Sequence, residues 1–115
     1  MTKTEKKLDN SIVKALTTAC ETLKIGIAGF TWLTHFSNYR DFPESFIVIC
    51  IFDTNTELTS AQEARDDVDI LNTIKNELQA EGVKIKNIHK HVSFDTEENC
   101  RLEDNGNWNK RFKRL

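Results

Sequence analysis

The tripeptide Phe-Asp-Thr occurs twice, at Phe52-Asp53-Thr54 and at Phe94-Asp95-Thr96, and each copy closes a stretch with strand character. If those stretches are parallel strands of one sheet, Asp53 and Asp95 both stand at its carboxyl edge, where open α/β sheets bind ligands. Two carboxylates there could hold Mg²⁺ or divide acid and base work, the chemistry of a carboxylate-based enzyme. The same residues have a plainer use, since Asp and Thr suit the turn and cap positions needed wherever a strand passes into a helix. Caps are far commoner than sites.

Other groups with chemical potential are scattered. His89 and His91 alternate along the expected third strand, which puts both on one face, and His35 sits on the first strand. A structural metal normally needs four ligands, and no local spacing supplies them, so these read as half-exposed histidines and no metal or cofactor is expected. Cys20, Cys50 and Cys100 are odd in number and widely spaced, which argues against a disulfide framework or a zinc ribbon. Cys20 falls on the apolar face of a helix and Cys50 inside the most apolar run, where free Cys behaves as a small hydrophobe. Cys100 is the one expected nearest the surface, and no motif ties a base to it. Glycine-rich phosphate loops, a serine nucleophile elbow and His-Glu-x-x-His are all missing. Asp104-Asn105-Gly106-Asn107 lacks the Glu that a calcium loop would place after it.

Positive charge is concentrated in two places. Lys84, Lys86 and Lys90 fall in a stretch, 82–94, that contains no acid, and Lys110, Arg111, Lys113 and Arg114 crowd the last six residues. Trp108 and Phe112 stand among the latter, and bases interleaved with aromatics can bind nucleic acid by phosphate contact and stacking. Against that, the net charge is −2, so the molecule as a whole has no pull toward polyanions. A solvated tail anchored by its two aromatic residues is the simpler reading.

The elements that would hold these groups are read from periodicity. Leu8, Ile12, Leu16, Ala19 and Leu23 recur at helical steps, with Val13 and Cys20 widening the stripe, and Gly26 and Gly29 end the helix. Phe30 to Phe36 alternates, with Phe30, Trp32, Thr34 and Phe36 on one side and Thr31, Leu33 and His35 on the other. A turn-rich stretch with Pro43 leads to Phe46–Phe52, apolar on both faces and therefore buried within a sheet. Ser60-Ala61-Gln62-Glu63 fits a capping box and predicts a second long helix, with Ala64, Val68, Leu71, Ile74 and Leu78 as its buried stripe and Gly82 as its stop. A third strand is expected between Val83 and Phe94, its lysines suiting an edge, with a bulge or turn near Asn87. A short helix then runs from about Asp95 to Glu103, Asn105-Gly106 breaks it, and the tail after Trp108 is a short helix or frayed end.

The expected order is α-β-β-α-β-α in one α/β (α+β) domain covering residues 1–115, with a three-stranded mixed sheet packed against two long helices. The first pair of strands is antiparallel, the second and third are parallel, and the first strand is expected between the other two.

Composition frames what such a domain could be. At 115 residues, 38% hydrophobic and 30% charged, the chain can bury roughly two-thirds of its unfolded surface without staples. Its first residues lack a signal peptide's apolar stretch, and its longest apolar run, Phe46 to Phe52, is too short to cross a bilayer, so a cytoplasmic protein without membrane contact is expected.

Three phrases carry a resemblance: Gly29-Phe30-Thr31-Trp32-Leu33-Thr34-His35, Phe52-Asp53-Thr54, and Phe94-Asp95-Thr96-Glu97-Glu98-Asn99-Cys100. They resemble a family of small uncharacterised bacterial proteins, some of them loosely labelled Fis-type transcriptional regulators, and the resemblance covers most of the chain. It implies a bacterial cytoplasmic protein without an assigned activity. A Fis-like protein is all-helical and ends in a helix-turn-helix, whereas here the middle is strand-rich and no such pattern precedes the tail. The expected function is a non-enzymatic binding or protein-interaction domain with a protein partner or a second copy of itself. The alternatives are a nucleic-acid-associated regulator using the third-strand lysines and the tail, and an enzyme at Asp53 and Asp95.

Overall fold

Thr2 and Glu5 satisfy each other's backbone amides in a capping box and start α1 (Lys3–Gly26). The computed structural model describes every residue from Met1 to Leu115. After α1 come β1 (Phe30–Phe36), a 3-10 turn at Tyr39–Asp41, β2 (Ile47–Phe52), α2 (Asn55–Glu63) and α3 (Asp66–Ala80). A second 3-10 turn (Ile88–His91), β3 (Val92–Thr96), α4 (Glu97–Asp104) and α5 (Trp108–Phe112) complete the α+β domain.

The three-stranded mixed sheet is present, but its order is β1-β2-β3, with β1 antiparallel and β3 parallel to β2. The expectation that β1 lies in the middle is therefore corrected. The reason is burial: Val48, Cys50, Ile51 and Phe52 are each 0% exposed, and only a central strand can be covered on both faces and both edges. Asp53 and Asp95 do lie at one edge of the sheet, on adjacent strands. Asp95 pairs with Ile51, so Asp53 stands two residues beyond it.

β1 departs from simple alternation. A bulge between Phe30 and Trp32 switches the parity, so Phe30 sits with Leu33 and His35 on one face, and Trp32, Thr34 and Phe36 occupy the other. The first face packs under α1 and α3, where Phe30, Val48, Cys50 and Phe52 join Ile12, Leu16, Ile70 and Ile74 in the main core. The second face carries Ile49 and Ile51, both buried, and α5 lies over it: Trp32 meets Trp108 and Phe112, and Phe36 meets Phe112, at ring separations of 5.1–6.2 Å. Such edge-on aromatic pairs contribute about 0.5–1.5 kcal/mol each beyond the area they bury.

The link from β2 to β3 holds two helices rather than one. Arg65 takes a left-handed conformation between α2 and α3 (φ 63°), which resets the helical phase. The buried stripe then becomes Ala61, Ile70, Ile74 and Leu78, while Ala64 and Val68 are exposed. Ser60 lies inside α2, on its exposed side, and caps nothing. The true start is Thr54-Asn55-Thr56-Glu57, which fits the same capping pattern: Thr54 Oγ1 accepts the Glu57 amide at 3.1 Å and donates to Glu57 Oε1 at 3.0 Å. Gly29 makes this junction possible. Its φ is +85°, a Cβ there would sit 2.6 Å from the Glu57 Cβ, and its carbonyl accepts the Asp53 amide at 2.9 Å.

The stretch expected to begin the third strand is extended but unpaired. Val83, Ile85 and Ile88 are buried and Lys84 and Lys86 exposed, which mimics strand alternation, yet ladder bonds begin only at Val92. The turn foreseen near Asn87 is there, with Asn87 left-handed at φ 52°.

Replacing the real cap and the apparent one separates the two starts. Thr54→Ala lowers stability to urea by about 1 kcal/mol, the usual cost of a lost N-cap. Ser60→Ala leaves the urea midpoint unchanged within the roughly 0.5 kcal/mol scatter of surface substitutions.

Candidate functional site

At the carboxyl edge of the sheet the two threonines of the repeat, not its aspartates, do the capping. Thr96 is fully buried; its hydroxyl accepts the Asn99 amide at 3.0 Å and donates to Asn55 Oδ1 at 2.6 Å. Asn55 Nδ2 donates in turn to Asn99 Oδ1 at 2.7 Å, and the Asn55 amide donates to Glu98 Oε1 at 2.9 Å. The first turns of α2 and α4 are thereby braced against each other. Asp53 contributes backbone groups to this junction, its carbonyl accepting the Glu98 amide at 3.1 Å, and its side chain is exposed.

Asp95 faces the second layer and is engaged there by a base. Arg111 Nε and Nη2 reach its two carboxylate oxygens at 2.6 and 3.0 Å, a bidentate pairing with the geometry guanidinium favours. Arg111 Nη1 also donates to Glu103 at 2.8 Å and to Asp104 at 3.0 Å. Arg114 donates through both terminal nitrogens to Asp104, whose side chain is fully buried. Hydrogen bonds from Arg114, and then from Arg111, hold the Asp104 carboxyl down at about 2 against burial, which pushes the other way. Beside this network Glu97 Oε1 accepts both indole N–H groups, from Trp32 at 2.7 Å and from Trp108 at 3.1 Å.

Asp53 and Asp95 are thus near each other along the edge but differ in circumstance, one turned to solvent and one neutralised by arginine. The tail divides in the same way. Arg111 and Arg114 are spent on internal carboxylates, whereas Lys110 and Lys113 are exposed. Trp108 and Phe112 pack on the sheet against Trp32 and Phe36, which leaves Asn109, Lys110 and Lys113 on the outer side of α5. Periodicity gave no sign of Glu97 or Asp104 as partners.

The loop lysines fare differently. Lys84, Lys86 and Lys90 project from the segment that Val83, Ile85 and Ile88 anchor, and with Pro43, Glu44, Asn87 and His91 they line one hollow of about 350 Å³. His89 and His91 belong to the 3-10 turn rather than to a strand, so they do not share a sheet face. His89 is exposed, and His91 Nδ1 lies 2.8 Å from the Phe46 carbonyl, to which it donates.

A second open feature runs between α1 and β1, a hollow of about 310 Å³ lined among others by Val13, Leu16, Cys20, Leu33 and His35. At its end Asp9 accepts the Tyr39 hydroxyl at 2.5 Å and stands 3.8 Å from His35 Nε2, a cluster the sequence did not suggest. Burial and that carboxylate push the Tyr39 phenol up. His35 is beside Asp9, and Cys20 is eleven residues further along α1, roughly 16 Å at the helical rise, so the two do not form a nucleophile–base pair. Burial lifts the Cys50 thiol to about 12. Cys100 is fully buried, against expectation, and its thiol is also raised by burial. No three His, Cys, Asp or Glu side chains converge as a metal site would require, and no helix is long and apolar enough to cross a membrane.

Two outcomes follow from the arginine network. Arg111→Ala strands Asp95 and leaves Asp104 to Arg114 alone, and lowers stability to urea by about 2 kcal/mol, the scale of lost hydrogen bonds to charged groups, while Lys110→Ala changes it by less than about 0.5 kcal/mol. Because the folded Asp104 carboxyl sits at about 2, below the ordinary ~3.9 of an unfolded aspartate, its stabilisation is complete above the latter value. That stabilisation is lost as pH falls through about 4 toward 2. The urea midpoint of the wild type therefore drops across that window more steeply than that of Asp104→Asn.

Compared with known proteins, the chain matches no family model, no curated protein and no solved structure.

Proposed function

We propose that this chain is a non-enzymatic interaction domain that pairs with a second copy of itself along β1. The observation that carries the reading is the character of that edge. β1 is an outer strand of seven residues with no Lys, Arg, Asp, Glu or Pro, and its one bulge is confined to its first residues. Natural sheets blunt their edges with lysine, proline, bulges or shortness. The opposite edge follows that rule, since β3 has five residues and is preceded by the lysine-bearing loop. β1 does not.

The surroundings of β1 suit a chain laid alongside it. Val13, 46% exposed, and Leu33 offer apolar contact in the adjoining groove. A second copy is the occupant that fits best. Two uncharged strands meet without like-charge repulsion. The groove's rim carries one acid, Glu21, and one base, Lys24, so a two-fold contact can match opposite signs. The sheet edge also gives the backbone hydrogen bonds that strand addition uses.

Sedimentation equilibrium across a dilution series tests this. The wild type is expected as a dimer that dissociates on dilution. Val13→Glu places an acid on each side of the contact, and Glu is well tolerated at an exposed helix position. It is expected to be monomeric, with an unchanged circular dichroism spectrum and urea midpoint. A wild-type chain that sediments as a monomer at every concentration overturns the reading.

A further inference from the structure

We propose that the loop before β3 holds a binding site for a compact anion bearing clustered phosphates. The site lies at the sheet edge opposite β1 and does not depend on self-pairing.

Core packing sets the position of its cations. Val83, Ile85 and Ile88 are 5–8% exposed and pin the segment to α3 and the sheet. Lys84 and Lys86 must then face outward, and the left-handed turn at Asn87 brings Lys90 back beside them. Lys84 and Lys86 also line a smaller neighbouring hollow of about 240 Å³ with Lys75 of α3. Four lysine side chains thus line two adjoining hollows, on a molecule whose net charge is −2.

None of the four has a carboxylate within salt-bridge distance. The ion pairs of this protein form elsewhere, chiefly around Arg111, and the single acid lining either hollow is Glu44. An arrangement of like charges without counter-charges repels itself, and a bound polyanion relieves that repulsion. His91 adds a fixed polar wall. Its Nδ1–H is held by the Phe46 carbonyl, which leaves Nε2 without a protein partner.

The chemistry of the lining selects the ligand. Apart from Pro43, every side chain lining the larger hollow is polar or charged, which suits a charged guest better than an apolar one. Lysine binds phosphate as a point charge, and a polyphosphate brings several negative charges in a small volume. Several ammonium groups around about 350 Å³ suit a small ligand with two or more phosphates. A nucleic-acid strand offers the same phosphate chemistry, but spreads its charges along an extended backbone.

Isothermal titration of the full chain at low salt, with inorganic tripolyphosphate as the probe, tests the site. One tripolyphosphate is expected per chain, with affinity falling as salt rises. The double variant Lys84→Gln/Lys86→Gln and the single variant Lys90→Gln should each weaken binding by about tenfold or more, as loss of charge-assisted contacts does. Lys110→Gln/Lys113→Gln, which alters exposed lysines outside the site, should leave it unchanged. All of these positions are exposed, and circular dichroism verifies that the variants fold. Absence of binding overturns the proposal, as does equal weakening by the Lys110/Lys113 variant, which would mean diffuse attraction. A single-stranded oligonucleotide that binds more tightly than tripolyphosphate also overturns it, assigning the lysines to a strand instead.

Discussion

The strand β2 imposes the constraint on which the rest of the molecule depends. Five of its six residues are buried, and its side chains are apolar on both faces. One helical layer would leave half of it wet, at a cost of roughly 1.5–3 kcal/mol for each large apolar side chain so exposed. The chain meets the constraint with strands on both sides, α1 and α3 above, and α4 and α5 below. The short terminal elements are therefore part of the architecture. Trp108 and Phe112 cover what α1 and α3 cannot reach.

Holding that lower layer requires polar chemistry, because α5 is only five residues long and has little intrinsic stability. Arg111 supplies it by tying β3, through Asp95, to α4, through Glu103 and Asp104. Glu97 does the same for the two tryptophans. No buried side-chain nitrogen or oxygen lacks a partner, which is the condition under which such a network rigidifies a structure instead of weakening it. Of the two carboxylates that first suggested catalysis, Asp95 is consumed in this work and Asp53 faces solvent. The loop lysines and the two exposed lysines of the tail are among the bases left without a carboxylate partner.

Much of this was legible in the sequence because periodicity and turn chemistry are local. β1, the both-faces apolar character of β2, and the stops at Gly82 and Asn105-Gly106 all follow from neighbouring residues. What was not legible depended on distance or on competition between equals. Thr54-Asn55-Thr56-Glu57 and Ser60-Ala61-Gln62-Glu63 both fit the capping pattern, and only the place where β2 ends decides between them. Val83, Ile85 and the lysines alternate as a strand would, but a strand also needs a partner, and β2 accepts one only from Val92 onward. The bulge at Thr31 is invisible in composition, yet it changes which face Phe30 occupies. The Asp95–Arg111 pair spans sixteen residues, and no periodicity reports which charges will meet. The mutual bracing of Asn55 and Thr96 hid for the same reason.

The segment from Val83 to Lys90 separates anchoring from display. Its aliphatic residues belong to the core and its lysines do not, so the residues that meet solvent are free of the constraints that fix the backbone. Surface substitutions of this kind usually shift stability by no more than about 0.5 kcal/mol. The loop can accordingly drift in charge and in ligand preference while the fold stays as it is. Recognition at this edge is cheap to revise over evolutionary time, whereas the arginine-held layer beneath β2 is not.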